Sequence, residues 1–564
     1  MSPFPDSWLV TLGGLSIFSF VSVLYFRYQS AAASINGFPG IRTVFNAISA
    51  PGVLTRGIPG LSLPQMYKWE QKYKLYQRTG WDIYSGISVW PKVSVSFSVA
   101  DAGVAKEIVQ NKATFPKTPF ALFNFYGPNV VTVSDNEEAK RYKKVAAPAF
   151  SERNNKLVWR ETSRIIGEIF AHWGEKETVS VNNIVDITLP LALHVISAAG
   201  FGRPISWEDE AGSGQGIIPA GHLMSYQEAI RTVSNGVFTR LVVPSWAMGL
   251  RARWRKIAVA FDELGKYMSE MIESRRREGD TIKTDEDGEL YKSDLFSNLL
   301  AASDAEVSGK GALSERELMG NISVFLLAGH ETTAHALAFA MGLLACYPEE
   351  QQKLHDHIKS ALPDGRLPKY EDISLLTRSL AVFYEATRLF PGVPVIAKSA
   401  ACDKTLTIAA AIPPGAEVAD GKHDQRKAVF IPKGTLILLD VVGLHYNPRN
   451  WKDPDHFNPE RFMNADWNRD AFMAFNAGSR ACLGRRFSEI EAVTALTMIT
   501  MRYKIELNGD LFQIIPGEAP RATRERLLKV TQGMTLALSE KMFFPYSSLC
   551  IFGPIRPVIS TPEY

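Results

Sequence analysis

The sequence predicts a mainly α-helical domain with a smaller β region, preceded by one N-terminal transmembrane helix. Over most of residues 141–277, apolar side chains recur at the spacing of an α-helix. Strand-forming residues cluster at 83–88 and 93–98 around Trp90-Pro91, which predicts a β-hairpin. Residues 8–26 are apolar and uncharged over about the length that a membrane-spanning helix needs.

The N-terminal region predicts an anchor followed by a linker. Asp6 precedes the apolar run and Arg27 follows it, a bias that favours the cytosolic side for the main domain. A cleaved secretory signal is the alternative, since small residues follow at 31–33, but the run is long for a signal and no basic residue precedes it. Pro-Gly pairs then mark a linker. The predicted division is an anchor at 1–28, a linker at 29–64, a main domain at 65–540 and a C-terminal extension of unknown role at 541–564.

Composition excludes several functional classes. The chain has 564 residues with a formal net charge of +3, so it lacks the basic excess typical of nucleic-acid binding. Its four cysteines show no C-x-x-C spacing, which argues against a zinc site and against a disulfide framework. The sequence therefore predicts one large domain in a reducing, cytosol-facing environment.

A long apolar segment predicts a helix that crosses the whole domain. Ser314 and Glu317 have the spacing of a capping box at its start. Gly329 and Thr332 lie in its middle, where both weaken helix propensity. A hydroxyl at that position can take a backbone carbonyl from the helical ladder, so we expect a local groove or kink. An ordinary core helix with an incidental polar patch is the alternative, and His330 is assigned no metal role.

The run F-N-A-G-S-R-A-C-L-G at 475–484 is the strongest chemical signal in the chain. Gly478 and Gly484 allow the tight turn that would present the sulfur of Cys482. Arg480 lies two residues before the cysteine and supplies a positive charge. Haem iron held by a thiolate fits this pattern. A buried structural cysteine in a glycine-rich turn is the alternative.

The spacing F-x-x-G-x-R-x-C-x-G resembles the haem-binding loop of the cytochrome P450 family. Glu385 and Arg388 resemble the E-x-x-R helix of that family, and residues 459–462 resemble its P-E-R-F segment. The motifs occur in the order of the family, and the resemblance covers roughly residues 35–540. It implies a cytochrome P450 fold and a haem-thiolate catalytic domain at 65–540.

The resemblance implies a haem site with Cys482 as the axial ligand of the iron. Phe475, Gly478 and Arg480 would form the cofactor-binding loop around that ligand. The family usually carries W-x-x-x-R where this chain has Ala139 and Lys143. Lys398 stands where the family often has another arginine that binds a propionate. Lys143 and Lys398 would supply positive charge to the haem propionates, but a lysine cannot form the two parallel hydrogen bonds of an arginine. Tyr142 could add a hydroxyl there.

The resemblance also implies catalytic and structural roles. Thr332 would hydrogen-bond the oxygen that is being activated, and Glu331 would help to relay protons. Glu385, Arg388 and Arg461 would form a buried charged triad, which is structural because buried charges persist only when paired.

An apolar substrate pocket is expected from the positions of residues in the family. The candidates come from a loop, the long helix and the segment after the E-x-x-R helix, namely Phe120, Phe123, Phe325, Ala328 and Val395. Each of them is as easily an ordinary core residue. Together they favour a hydrophobic small molecule such as a terpenoid or another secondary metabolite.

The functional prediction is a monooxygenase that oxidises this molecule with dioxygen. Electrons would come from NADPH through NADPH–cytochrome P450 reductase, as in membrane-anchored microsomal members. The same resemblance would place the chain at the endoplasmic reticulum as a single-pass membrane protein, with its catalytic domain facing the cytosol. Basic residues of 140–144 together with Arg485 and Arg486 would form a face for the reductase. A haem-thiolate isomerase or dehydratase that uses no dioxygen is the alternative, and a non-enzymatic haem carrier is the third hypothesis.

Overall fold

Helices form most of the structure, in agreement with the predicted fold class. The computed structural model describes residues 6–47, 49–64, 67–118, 124–135, 137–174, 178–181, 183–207, 218–278, 294–304, 313–416, 425–507, 515 and 557–560. The pocket candidates Phe120 and Phe123 lie outside these described residues, as does most of the predicted extension at 541–564.

The described α-helices, in chain order, are α1 (Asp6–Ser34), α2 (Ala50–Leu54), α3 (Tyr67–Gln71), α4 (Lys74–Thr79), α5 (Ala102–Gln110), α6 (Glu137–Ala146), α7 (Glu152–Trp173), α8 (Val185–Val195), α9 (Tyr226–Val242), α10 (Ala252–Glu278), α11 (Leu295–Asp304), α12 (Glu315–Cys346), α13 (Pro348–Ala361), α14 (Thr377–Leu389), α15 (Val441–His445) and α16 (Arg485–Arg502). The described strands are β1 (Gly40–Phe45), β2 (Ile83–Trp90), β3 (Ser94–Val99), β4 (Thr178–Ser180), β5 (Val395–Ser399), β6 (Lys404–Ala409), β7 (Arg426–Ile431), β8 (Leu436–Asp440), β9 (Lys504–Leu507) and β10 (Pro557–Ser560).

The chain divides into two compact units. The first unit comprises Met1–Thr118, Val393–Asp455 and Asn468–Ala481. The second unit comprises Pro119–Gly392, His456–Trp467 and Cys482–Tyr564.

The first unit contains a five-stranded sheet in the order β1-β2-β3-β8-β5. The predicted hairpin is confirmed, because β2 and β3 pair antiparallel with Ile83 opposite Val99. Strand β1, which lies inside the predicted linker, pairs parallel with β2. Gly40 begins β1 at a φ of +158° and passes so close to Ser85 that a Cβ would lie 1.9 Å from the carbonyl oxygen of Ser85. Only glycine allows this approach of the two backbones.

The polar amphipathic pattern of residues 66–79 predicts one helix, whereas the described residues 67–79 form two short helices, α3 and α4. Lys72 lies between them with a φ of +48°, a conformation that ends a right-handed helix. Tyr73 follows, and its hydroxyl donates to the buried carboxylate of Asp82 and accepts the N–H of Ile412 at 3.1 Å. These buried hydrogen bonds satisfy polar groups in the core of the first unit and fix the break.

Helix α12 is the central element of the second unit and packs against α8, α11, α14 and α16. The predicted capping box is present, since the Ser314 hydroxyl accepts the N–H of Glu317 while the Glu317 carboxylate accepts the N–H of Ser314 at 2.8 Å. Apolar side chains are buried all around the C-terminal half of the helix, as expected for a core helix. Gly320 touches the carbonyl oxygens of Gly127 and Pro128, where a Cβ would lie 2.4–2.6 Å away, so a glycine is required there.

The predicted transmembrane segment, residues 8–26, falls within the 29-residue helix α1. Leu15 and Phe18 of this helix are largely exposed, and Arg27 donates to the carbonyl of Val89 in β2 at 3.4 Å. Within the part of the chain that the structure describes, no helix is long and apolar enough to cross a membrane. The prediction of a transmembrane helix is therefore not confirmed.

Candidate active site

The turn before Cys482 has a backbone shape that depends on two residues of the first unit. Gly478 adopts a φ of +65°, and a Cβ on it would approach the carbonyl oxygen of Val109 to 2.9 Å. Asn476 also has a positive φ, and its side-chain amide donates to the carbonyl of Arg480 at 3.1 Å. Asparagine tolerates this conformation better than most residues, so Asn476 is compatible with the turn.

Cys482 is the first residue of the segment of the second unit that leads into α16. Its side chain is an exposed free thiol, and Gly484 is the residue immediately before the helix. Although the side chain reaches solvent, the protein atoms packed around the sulfur desolvate it and raise the pKa of Cys482, whereas the backbone N–H groups of Gly484 and Arg485 and the charge of Arg485 act in the opposite direction. Unsatisfied N–H groups at a helix start favour an anion, so this position suits a ligating thiolate. A single protein thiolate is sufficient for an iron whose other ligands belong to a cofactor, as in haem.

The other predicted haem-binding residues are divided between the two units. Phe475, Gly478 and Arg480 lie in one loop of the first unit, and Lys398 is buried in β5 of that unit. Lys143 lies on α6 of the second unit and is half-buried. Their roles toward haem remain predictions from the resemblance.

Two residues of α6 are engaged by Glu317 at the start of α12. The Tyr142 hydroxyl donates to the carboxylate of Glu317 at 2.6 Å, so it is engaged by the capping residue of α12. Arg141, assigned to a basic face for a reductase, also pairs with Glu317 and is less than one-third exposed. An ion pair holds Arg141 and a hydrogen bond holds Tyr142 at the start of α12, and sequence spacing alone does not reveal either contact.

The middle of α12 presents the predicted catalytic threonine. The Thr332 hydroxyl donates to the carbonyl of Ala328 at 2.9 Å, and Thr332 is exposed. Thr333 is buried and donates to the carbonyl of Gly329 at 3.2 Å. The helix continues unbroken from Glu315 to Cys346, so both hydroxyls share carbonyls with the ladder instead of ending it.

Glu331 lies next to Thr332 and is ionisable near neutral pH. Partial burial raises the pKa of Glu331 to about 7, and the hydroxyl of Ser234 on α9 acts in the opposite direction. A carboxyl with this pKa is protonated in about half of the molecules at pH 7, which suits proton transfer. Ser234 was missed by sequence reasoning, because no local pattern relates α9 to α12.

The predicted triad is brought together in the second unit. The Arg388 guanidinium donates two hydrogen bonds to the carboxylate of Glu385, at 2.7 and 2.8 Å, and both residues are fully buried. Arg461 donates to the same carboxylate at 3.4 Å, and the N–H of Asn458 donates to it at 2.9 Å. Since the charges are paired and hydrogen-bonded, this cluster fixes the segment 456–467 to α14, which is a structural role.

Of the described pocket candidates, two lie on one face of α12. These two are Phe325, which is half-buried, and Ala328, which lies three residues later and is exposed. Thr332, also exposed, follows four residues after Ala328 on the same face. The ring of Phe325 lies 6.2 Å from that of Phe150. Val395, the remaining described candidate, lies in β5 of the first unit.

Comparison with known proteins gives concordant matches over most of the chain. The sequence profile described as Cytochrome P450 matches residues 60–419 and 424–523. Cytochrome P450 monooxygenase 124 of Postia placenta is 41% identical over 514 residues, which cover 90% of this chain and 93% of that protein. Cytochrome P450 monooxygenase ORF6 of Penicillium roqueforti is 30% identical over 78% of each chain.

Two further matches are more distant. Cyclooctat-9-en-7-ol 5-monooxygenase of Streptomyces melanosporofaciens is 29% identical over 67% of this chain and 72% of that protein. The crystal structure of the haem domain of cytochrome P450DA is similar with a TM-score of 0.60 at 23% identity, covering 78% of this chain and 87% of that one. At this identity, the structural match establishes the fold.

Proposed function

Because this chain belongs to the cytochrome P450 family, we propose that it is a monooxygenase that oxidises a hydrophobic small molecule with dioxygen and electrons from NADPH. The observation that carries this proposal is the exposed hydroxyl of Thr332 beside Glu331, whose pKa of about 7 allows it to hold or release a proton at neutral pH. An isomerase or dehydratase that uses no dioxygen has no need of this acid and alcohol. The pair therefore favours the monooxygenase over that alternative.

Each residue of the site has a specific task in this function. Bound haem supplies the oxygen chemistry, which a thiolate ligand promotes by donating electron density to the iron. Cys482 provides that thiolate, and the N–H groups of Gly484 and Arg485 stabilise its charge. The Thr332 hydroxyl donates to Ala328, and rotation of its side chain frees it to donate toward the substrate side of α12. Glu331 then resupplies the proton from its carboxyl group.

The substrate class is proposed from the apolar face of α12. Phe325 and Ala328 offer no charge to a ligand, and Thr332 offers a single hydroxyl. Apolar surface with a few polar groups is typical of sites for hydrophobic metabolites. Relatives of this chain occur in fungi, and the printed name of one bacterial relative gives cyclooctat-9-en-7-ol as its substrate. A terpenoid or similar secondary metabolite is therefore the proposed substrate.

The test of this function begins with cells that express the chain and cells that do not. A metabolite that changes between them is incubated with purified protein, NADPH–cytochrome P450 reductase, NADPH and isotopically labelled dioxygen. We expect a product that contains one labelled oxygen atom and that forms only with NADPH. A product formed without NADPH and dioxygen would establish the isomerase alternative. The non-enzymatic haem carrier would be supported by two results together. These are the absence of any metabolite change and no substrate-dependent NADPH oxidation across a panel of terpenoid alcohols and fatty acids.

We also propose that α1 attaches the protein to the endoplasmic reticulum membrane, with the catalytic domain facing the cytosol. The support is the uncharged run at 8–26 and the exposed side chains of Leu15, Ile17 and Phe18. A helix with exposed apolar side chains is stabilised by burying them in lipid.

Deletion of residues 1–28 is expected to move most of the protein from the membrane fraction to the soluble fraction, because the deleted helix carries these exposed apolar side chains. The measurement is the partition of the haem-containing protein after ultracentrifugation, with the full-length chain as the reference. Complete retention of the shortened protein in the membrane fraction, or secretion of a mature form that begins near Ser34, would contradict the proposed attachment.

A further inference from the structure

A cluster of three side chains lies beside the cysteine in the second unit and is not explained by the roles above. Arg485 and Glu489 lie four residues apart on α16, and the Arg485 Nε donates to the Glu489 carboxylate at 2.8 Å. Tyr384 comes from α14, immediately before Glu385 of the triad. The Tyr384 hydroxyl accepts a hydrogen bond from Arg485 at 2.8 Å and donates its own proton to Glu489. The three groups thus close a ring of hydrogen bonds.

Burial distinguishes this cluster from an ordinary surface ion pair. The side chain of Glu489 is 8% exposed and Tyr384 is also 8% exposed. The Arg485 side chain is 45% exposed, so its guanidinium lies between solvent and the two buried partners. It also lies over the Tyr384 ring at 5.5 Å. A guanidinium held at three points has lost much of its freedom, so its position relative to the backbone is fixed.

This fixed charge acts on the cysteine sulfur. Arg485 is the first residue of α16 and the third residue after Cys482, so the chain keeps its charge near the sulfur, and its backbone N–H and its side-chain charge both favour the thiolate. Glu489 acts in the opposite direction. The field at the sulfur is therefore a balance between two charges that are bonded to each other. The balance depends on Tyr384, because its hydroxyl is hydrogen-bonded to both Arg485 and Glu489.

We infer that Tyr384 and Glu489 are positioning residues that hold Arg485 against Cys482 and thereby set the reduction potential of the haem iron. The inference rests on the proposed role of Cys482 as the haem ligand. A positive charge near the sulfur withdraws electron density from the iron and stabilises the reduced, ferrous state. A negative charge beside it has the reverse effect. Glu489 therefore lowers the potential, and Arg485 raises it.

The test is the midpoint potential of the haem in the full-length holoprotein, measured by spectroelectrochemistry. Glu489→Gln is expected to raise the potential because Arg485 loses its counter-charge. Arg485→Gln is expected to lower it. Each shift is about a tenfold change in the ferric–ferrous equilibrium, or about 59 mV for one electron. The double variant is expected to return close to the wild-type value, since both charges are then absent.

Two variants separate this role from general stabilisation of the fold. Arg486→Gln removes a charge of the same sign one residue away, where the guanidinium reaches Glu489 only at 3.4 Å, and it is expected to shift the potential less than Arg485→Gln. Tyr384→Phe changes no charge but frees Arg485, so its potential is expected to fall between those of the wild type and Arg485→Gln. A merely structural cluster would lower stability in every variant without shifts of opposite sign.

The outcomes also separate this inference from the proposed function. If Cys482 is not the ligand, the thiolate-type carbon monoxide band is either absent from the wild type or still present in Cys482→Ala. If the band is present and the potentials of Glu489→Gln and Arg485→Gln equal that of the wild type, the inference is overturned while the ligand assignment stands. Should Glu489→Gln fail to fold, Arg485→Gln decides alone, because an unchanged potential in that variant is sufficient to reject the inference.

Discussion

Replacement of Cys482 by alanine is expected to abolish the thiolate-type carbon monoxide difference band and the monooxygenase activity. The exposed thiol of Cys482 lies just before α16 and is the proposed ligand of the iron. Without it, the iron loses the ligand that promotes oxygen cleavage. The measurement is the difference spectrum of the reduced protein with and without carbon monoxide.

Cys402 provides the matched control, because it is an exposed cysteine in the first unit. Cys402→Ser is expected to keep the band at its wild-type intensity. Cys346 is buried in α12, and Cys346→Ser is expected to keep the band even where stability falls. Cys550 lies outside the described residues, and the same result is predicted for Cys550→Ser. A thiolate band that survives in Cys482→Ala would show that another residue is the ligand.

Replacement of Thr332 by alanine is expected to separate oxygen consumption from product formation. The variant is expected to bind haem and oxidise NADPH but to form about 100-fold less product, with hydrogen peroxide released instead. The physical reason is that, in the proposed function, the hydroxyl would direct a proton to the oxygen atom whose bond is to be broken. The measurement is product and hydrogen peroxide formed per NADPH consumed.

Thr333→Ala is the control for this prediction. Thr333 is buried and lies about 100° around the helix from Thr332, so its hydroxyl faces the core. Its loss is expected to change coupling little. Equal coupling in the wild type and Thr332→Ala would contradict the assigned role. Hydrogen peroxide supplied in place of NADPH then distinguishes an oxygenase in which water replaces the hydroxyl from an isomerase, which needs neither.

Local patterns predicted the elements in which neighbouring residues determine the structure. The capping box at Ser314 and Glu317 and the hairpin around Trp90 are examples, because hydrogen bonds and cross-strand pairs form within a few residues. The shape of the loop before Cys482 was also predictable, since Gly478 has the positive φ that its position implied. These features depend on short-range geometry.

Contacts between residues distant in sequence were not predictable. The hydrogen bond from Tyr142 to Glu317, which is 175 residues away, is one example. The bond of Tyr384 to Glu489 joins two helices across 105 residues. In each case a buried or half-buried carboxylate accepts a hydrogen bond from a donor that only the folded chain brings near, and local sequence patterns do not reveal which donor that is.

The pairing of β1 with β2 bears on how this protein can be produced for crystallography. Researchers commonly remove an apolar leader to obtain soluble material from bacteria, and the choice of the first residue then matters. A start at the predicted domain boundary near residue 65 would remove β1 and expose the edge of β2, whose unpaired backbone groups invite aggregation. A start between residues 29 and 37 keeps the carbonyl of Phe38, which accepts a hydrogen bond from the guanidinium of Arg42 at 2.6 Å, and leaves β1 paired with β2.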